Sequence, residues 1–167
     1  MARRARGVTV VAKTLKMTAK KASNNTSNKT WNEKLAGGHR PHVSVLTKGF
    51  VGVPAGATLF VPSPMLVRDY MRAIPRGEQR TIAEMRQEMA ARHKARATCP
   101  LTASLFARIA AEAALEDMGE GKSEADVAPF WRLIDADSAL GKKLSCGPGF
   151  IRKMQEAEAR KTRRAKP

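Results

Sequence analysis

The chain has 167 residues, 43% of them hydrophobic, with a formal net charge of +16. That length suits one domain with tails, and the apolar fraction is high enough to bury a core, which excludes a wholly disordered chain. No run approaches the roughly 18–20 apolar residues of a membrane span. So large a positive charge is typical of proteins that bind polyanions, so we expect a nucleic acid as partner and no membrane.

The charge is concentrated at the two ends of the chain. Residues 1–30 carry eight basic side chains and no acid, and residues 152–167 carry seven basic side chains against two acids. The residues between them are nearly balanced. We therefore expect a globular unit between basic tails at 1–28 and 160–167, which act as arms on nucleic acid or simply as solubilising segments.

The cysteines and histidines form no recognisable metal or catalytic pattern. Cys99 and Cys146 are far apart in sequence, and His39, His42 and His93 have no metal-ligand spacing with them. No glycine-rich phosphate loop is present. We therefore predict no catalytic residue, no metal and no cofactor, which points to a binding protein.

The first elements predicted along the chain are short strands. Residues 18–30 are polar and aperiodic and indicate a linker, after which Trp31 begins the ordered part. Two apolar or β-branched runs at 42–47 and 57–61, separated by Gly and Pro, predict two small strands. Together they give a short β lead-in over residues 29–62.

Helices follow, and their caps are visible in the sequence. Ser63 with Pro64 is a typical N-cap and first turn, and Pro75 ends that helix. Thr81 starts the next helix, with Glu84 completing a capping box.

The rest of the chain predicts a third helix and a hairpin. The third helix runs from 100 to 118, with Leu101, Leu105, Phe106, Ile109 and Ala113 expected on its buried side. Residues 130–134 and 141–144 are then expected as two strands, and residues 150–160 as a last helix.

Three helices followed by a hairpin is the order of a winged helix-turn-helix. The predicted fold class is therefore mainly α (α+β): a winged helix-turn-helix DNA-binding domain over residues 63–159, preceded by the short β segment and flanked by basic tails.

The third helix is the candidate DNA-binding element. The window from residue 89 to 111 holds four basic residues and no carboxylate. A helix N-terminus beside such residues suits phosphate, and small side chains let a helix approach a groove closely. Alternatively, alanine is present only as the best helix former, on a face that packs against another element. The predicted DNA-binding residues are Arg76, Arg80, Thr81, Arg92, Lys94, Arg96, Thr102, Ala103, Ser104, Ala107 and Arg108.

Several segments resemble, in order, the DNA-binding domain of the O6-alkylguanine-DNA alkyltransferases. That family has a [VI]PxGxxxTYGxIA segment, an Ala-rich recognition helix, and PCHRV before a closing helix. Here the resemblance covers roughly residues 63–159, and an alkyltransferase-like group with CPxT and PxWR motifs is more similar still. The matching segments are 74–78 (IPRGE), 81–85 (TIAEM), 99–102 (CPLT), 129–134 (PFWRLI) and 147–159 (GPGFIRKMQEAEA).

The chain departs from that family at the residues that transfer the alkyl group. Phe130 stands at the position of the acceptor cysteine and Trp131 at that of its histidine, and neither can act as nucleophile or base. The resemblance implies a base pocket formed by Phe130, Trp131 and Arg132. From their residue types, Phe130 and Trp131 fit a core or pocket wall better than a stacking platform. Arg132 fits a phosphate or pocket contact as well as a salt bridge with an acid such as Asp135 or Asp126.

Three functions remain open from the sequence. The first is a non-enzymatic DNA-binding protein of the alkyltransferase-like type, which recognises alkylated or distorted bases in double-stranded DNA, in a cytoplasmic, nucleoid-associated setting. The second is a general architectural or regulatory nucleic-acid-binding protein. The third is a cysteine-dependent methyltransferase that uses Cys99, although a buried, helix-capping Cys99 explains the same pattern.

Overall fold

The computed structural model describes residues 29–165. The predictions made for residues 1–28, and for the last two residues of the 160–167 segment, lie outside this part of the chain. From Trp31 onward the residues belong to one compact unit of mixed α/β structure. None of the helices in residues 29–165 is long and apolar enough to cross a membrane.

The unit contains five α-helices and one small sheet within the described residues. Two short 3-10 helices, Phe130–Arg132 and Gly141–Lys143, lie between the last two α-helices. In chain order the other elements are α1 (Trp31–Leu35), β1 (His42–Val45), β2 (Thr58–Val61), α2 (Pro64–Ala73), α3 (Ile82–Arg92), β3 (Ala97–Thr98), α4 (Pro100–Gly119) and α5 (Gly147–Ala165).

The sheet has the strand order β1-β2-β3. β1 and β2 are antiparallel, with His42 opposite Val61, and both were predicted from their β-branched runs. β3 runs parallel to β2, with Leu59 opposite Ala97. This third strand was not predicted, because two residues carry no readable alternation.

The helix caps predicted from the sequence are confirmed. Ser63 Oγ accepts a 3.2 Å hydrogen bond from the Leu66 N–H at the start of α2. At the start of α3, the Thr81 hydroxyl accepts from the Glu84 N–H at 3.1 Å, and the Glu84 carboxylate accepts from the Thr81 N–H at 2.6 Å. These reciprocal bonds satisfy donors that a helix start leaves unpaired.

The core is built around α4, which contacts α1, α2, α3 and the first 3-10 helix. Ala103, Ala107 and Ala111 are fully buried in these contacts, and Ala110 is almost completely buried. The alanines therefore let neighbouring elements approach α4 closely, so they lie on a face that packs against other elements of the fold. The expectation that Ala103 and Ala107 face a DNA groove is wrong, since neither side chain reaches the surface.

Two acidic residues of α4 hold the starts of neighbouring helices. Glu112 is buried and accepts from the Ser145 N–H at 3.1 Å and from its hydroxyl at 2.6 Å, two residues before α5 begins. Glu116 accepts from the N–H groups of Trp31 and Asn32, at 3.3 and 2.8 Å, at the start of α1. A carboxylate is stabilising next to a helix N-terminus, so these acids join α4 to both ends of the unit.

The predicted wing hairpin is wrong. The segments expected as strands at 130–134 and 141–144 contain the two 3-10 helices instead. Phe130, Trp131, Leu133 and Ile134 are all at most 2% exposed. A run that is buried on every side has no in-and-out alternation, and its apolar composition does not distinguish a strand from a helical turn.

The last helix is longer than predicted. α5 continues to Ala165, so residues 160–165, expected as part of a basic tail, form its exposed final turns. Arg160 pairs with Glu156 one turn earlier, at 3.5 Å.

A partly buried ion pair joins the first 3-10 helix to α5. Arg132 Nε lies 3.0 Å from one Glu158 oxygen and Arg132 Nη2 lies 2.7 Å from the other, while Arg132 Nη1 donates to the Ile74 carbonyl at 2.6 Å. Burial opposes the charged form of Glu158, but hydrogen bonds from Arg132 and the Gly77 N–H hold the pKa of this carboxyl below its usual range. The pair therefore connects the end of α2, the turn after it, the 3-10 helix and α5.

We expect Arg132→Met to lower the free energy of unfolding by about 3 kcal/mol at neutral pH, because Glu158 would remain buried without its counter-ion. The wild-type contribution is present above the ordinary glutamate pKa of 4.5 and is lost as the pH falls through the lower folded-state pKa. The stabilities of the two proteins should therefore converge in acid. Urea unfolding followed by tryptophan fluorescence measures both effects.

The double variant Arg132→Met, Glu158→Leu is the control. Removing both charges leaves no unpaired buried charge at this contact, so the double variant should be more stable than Arg132→Met alone at neutral pH. Equal instability of the single and double variants would show that packing of the arginine stem, and not its charge, stabilises this contact.

Candidate nucleic-acid interface

The start of α4 is uncapped. The helix begins at Pro100, which has no N–H, and Cys99 before it makes no side-chain cap. The first backbone N–H groups of a helix have no partner within the helix and carry the positive end of its dipole. The start of α4 is therefore an electropositive backbone site.

An apolar stripe lies on the outer side of the same turns. Leu101 and Leu105, one turn apart, are 65% and 53% exposed, and Ser104 beside them is also exposed. Both leucines were predicted on the buried side, so that prediction is wrong. The face of α4 that packs inward is instead the one that carries Ala103, Phe106 and Ala107, and it leaves the leucines free to contact a partner.

The connection from α3 to β3 carries exposed basic side chains a few residues before this helix start. His93 ends α3 and stacks on Phe60 at 3.8 Å between ring centroids. Lys94 adopts a left-handed backbone with φ of 52°, which turns the chain back toward the sheet. The Arg96 N–H then donates to the Thr58 carbonyl and hydroxyl, both at 3.0 Å. Lys94 and Arg96 are thereby held exposed, close in sequence to the start of α4.

Little negative charge neutralises this region. No carboxylate occurs between residues 89 and 111. Among the described residues, Arg92 pairs with Glu88 at 3.5 Å, and both side chains are exposed. Such a pair contributes at most about 0.5 kcal/mol, so Arg92 can readily exchange it for another anion.

The structure separates the other predicted DNA-binding residues from this group. Arg76 lies 4.0 Å from Glu158, Arg80 lies 3.4 Å from Glu78, and Thr81 is occupied in the cap of α3. They lie near the start of α3, whereas Arg92, Lys94 and Arg96 lie near or beyond its end. The 11 residues of α3 span about 16 Å, so the two groups form separate surfaces.

Thr102 and Arg108 lie on α4, each only partly exposed. The Thr102 hydroxyl donates to the Cys99 carbonyl at 3.4 Å. The Arg108 guanidinium carbon lies 5.6 Å from the centroid of the Trp31 ring, and the Lys34 ammonium lies 4.2 Å from it. Arg108 therefore packs against α1, and it adds less free charge to the surface than its position in the sequence suggested.

The predicted base-pocket residues are found in the core and at its edge. Phe130 is fully buried and packs edge-on against Trp131, and the Arg132 guanidinium is paired with Glu158. Trp131 and Arg132 do line a cavity of about 240 Å³ together with Arg80 and Thr81. Cavities for drug-sized ligands are typically about 300–1,000 Å³, so this one has room for a small ring system at most.

Neither cysteine is arranged as a reactive thiolate. Cys99 is 6% exposed, and its N–H donates to the Phe60 carbonyl at 2.8 Å. Burial raises the pKa of the Cys146 thiol, and Glu112 raises it further. In residues 29–165 no group of three or more His, Cys, Asp or Glu side chains is arranged to hold a metal ion.

Sequence reasoning missed two parts of this region. The first is the exposure of Leu101 and Leu105, since alanine-rich helices do not show which face is buried. The second is Arg86 on α3, which lines a cavity beside β3. The sequence showed only that Arg86 lies on α3 away from the apolar residues Met85 and Met89. The cavity itself could not be predicted, because the strand that completes it was not predicted.

No family model, curated protein or solved structure matches this chain.

We expect Ala107→Leu to lower the free energy of unfolding by about 1–3 kcal/mol, because the larger side chain must displace packed neighbours. Ser104→Leu is the matched control: it adds the same side chain at an exposed position of the same helix and should change stability by about 0.5 kcal/mol or less. Thermal or urea unfolding measures both. Equal stability of the two variants would place Ala107 outside the core.

Proposed function

We propose that the protein binds double-stranded DNA through the start of α4 and the basic connection between α3 and β3. The observation that carries the proposal is the uncapped start of α4, with Leu101, Ser104 and Leu105 exposed on its outer face and exposed basic residues shortly before it in the chain. Free helix N–H groups and nearby Arg and Lys are suited to backbone phosphates.

The exposed leucines favour a DNA duplex over a polyanion that is bound through charge alone. Leucine is among the side chains that proteins insert at base steps from the minor groove, where they unstack and bend the DNA. Basic residues near such a wedge can hold neighbouring phosphates. Lys94 and Arg96 are exposed and precede α4 closely in the chain.

The finer proposal is an alkyltransferase-like DNA-binding protein that recognises alkylated or distorted bases without transferring the alkyl group. In this proposal α3 and α4 are the helix pair of a helix-turn-helix, without the predicted hairpin. An extruded base would occupy the cavity that Thr81, Trp131 and Arg132 line, which belongs to the separate surface at the start of α3, so this finer proposal requires the DNA to contact both surfaces. Phe130 and Trp131, at the positions of the catalytic cysteine and histidine, supply neither a nucleophile nor a base.

The two alternatives differ from this proposal in what they require. A general architectural or regulatory protein needs the same surface and no preference for a lesion. A methyltransferase that uses Cys99 needs an accessible thiolate, and the burial of Cys99 argues against it. A cytoplasmic, nucleoid-associated location follows from the DNA partner and is part of the proposal.

We expect Ser104→Glu to weaken binding to a duplex about tenfold, because a carboxylate would then face the phosphates from the outer side of α4. Ser104→Gln is the matched control, since it has nearly the same shape without the charge. Fluorescence anisotropy with a labelled duplex, at several stated salt concentrations, measures the affinities. If the two variants bind equally well, another surface holds the DNA.

We expect tighter binding to a duplex with one O6-methylguanine than to the same duplex with guanine, because a damaged, poorly paired base costs less to extrude. Competition binding at one salt concentration measures the ratio. Equal affinities would favour the general DNA-binding protein.

Intact-mass spectrometry after incubation with excess O6-methylguanine duplex completes this test. We expect an unmodified protein and unrepaired DNA. A stoichiometric methyl adduct on Cys99 or Cys146 would overturn the binding-only proposal and indicate an alkyltransferase with a relocated nucleophile.

A further inference from the structure

A groove with two arginines lies between α3 and β3. Its volume is about 370 Å³, and five alanines form much of its lining. Arg86 and Gln87 of α3 line one side, and Arg96 and Thr98 line the other. The groove reaches Thr98, two residues before α4 begins, so it adjoins the proposed interface.

The groove differs in charge from a larger cavity that Trp131 and Arg132 also line. That cavity, of about 550 Å³, combines basic residues with the carboxylates of Glu124, Asp126 and Glu158. No acidic residue lines the groove between α3 and β3. Within residues 29–165, neither Arg86 nor Arg96 forms an ion pair with a carboxylate.

Both arginines are held at the groove by fixed contacts. Arg86 Nε donates to the Thr98 carbonyl at 3.3 Å, and the Thr98 hydroxyl donates to the Arg86 carbonyl at 2.8 Å. The backbone of Arg96 is fixed by its hydrogen bonds to Thr58. Thr98 itself is 1% exposed, so this wall of the groove is part of the core. The Arg86 guanidinium and the backbone of Arg96 are therefore positioned by the fold, and neither guanidinium has a carboxylate partner within residues 29–165.

We propose that this groove is a phosphate-binding site, with Arg86 and Arg96 as its cationic ligands. Guanidinium groups bind phosphate through paired hydrogen bonds, and two of them that line one groove can hold different oxygens of one tetrahedral anion. The alanine lining leaves room for the anion to approach, and Gln87 offers a neutral donor. The assignment to a backbone phosphate of DNA rests on the proposed function, whereas phosphate recognition itself does not.

The test introduces a charge into the groove without removing either arginine. Ala91 lines the groove and is exposed on α3, so Ala91→Glu should fold normally and place a carboxylate against the arginines. Ala91→Gln is the matched control, since it fills the same space without the charge. Unfolding curves of both full-length variants verify that they remain folded.

The first arm uses inorganic phosphate, which is titrated into the full-length protein at constant ionic strength with chloride as control. We expect the backbone amide signals of Arg96 and Thr98 to shift with phosphate in the wild type and in Ala91→Gln, and not in Ala91→Glu. Amide signals of this groove that do not respond to phosphate in the wild type would overturn the proposal.

The second arm uses a DNA duplex and identifies the source of the phosphate. We expect Ala91→Glu to bind the duplex at least about tenfold more weakly than Ala91→Gln, as a like charge facing a phosphate predicts. If Ala91→Glu and Ala91→Gln bind the duplex equally well, while the wild-type groove signals shift with phosphate, the groove is a phosphate site whose ligand is a free phosphate compound. If the wild type binds no duplex, the proposed function is wrong. The phosphate titration of the first arm would still show whether the groove binds phosphate.

Discussion

The buried inner face of α4 organises the fold. Its small side chains allow α1, α2 and the first 3-10 helix to pack close to one axis, and Ala103 and Ala107 are fully enclosed as a result. The packing occupies the inner face of the helix. Its uncapped start and the stripe with Leu101 and Leu105 remain free for a partner.

The same packing determines where the charges are used. Glu112 and Glu116 of α4 stabilise the start of α5 and of α1, and Glu158 neutralises Arg132 at the joint between α2 and α5. These carboxylates serve contacts within the fold and do not neutralise the surface. Lys94 and Arg96 consequently remain exposed where no acid is near in sequence, and this local excess of positive charge supports the choice of a polyanion as partner.

Local signals predicted much of this fold. The caps at Ser63 and Thr81 are set by hydrogen bonds within four residues, so the sequence shows them directly. The contacts that were missed join residues far apart in the chain. Arg132 finds its partner Glu158 in another helix, and β3 exists only because it pairs with β2.

The candidate site was predicted only in part, for the same reason. The carboxylate-free window identified the region that contains Lys94 and Arg96. Alanine and leucine on a helix, however, do not indicate which face is buried, so Ala107 was expected outside and Leu101 inside. The prediction of a strand around Phe130 is wrong because a fully buried apolar run occurs in strands and in helical turns alike.

Contact between DNA and the start of α4, together with the connection before it, can be measured residue by residue. Backbone amide signals of the full-length protein, recorded while a DNA duplex is titrated in, report on it. We expect the largest changes at Arg96, Leu101, Ser104 and Leu105. Changes confined to the exposed turns of α5, or to the acidic loop at residues 122–126, would contradict it, as would a protein whose signals do not respond to the duplex.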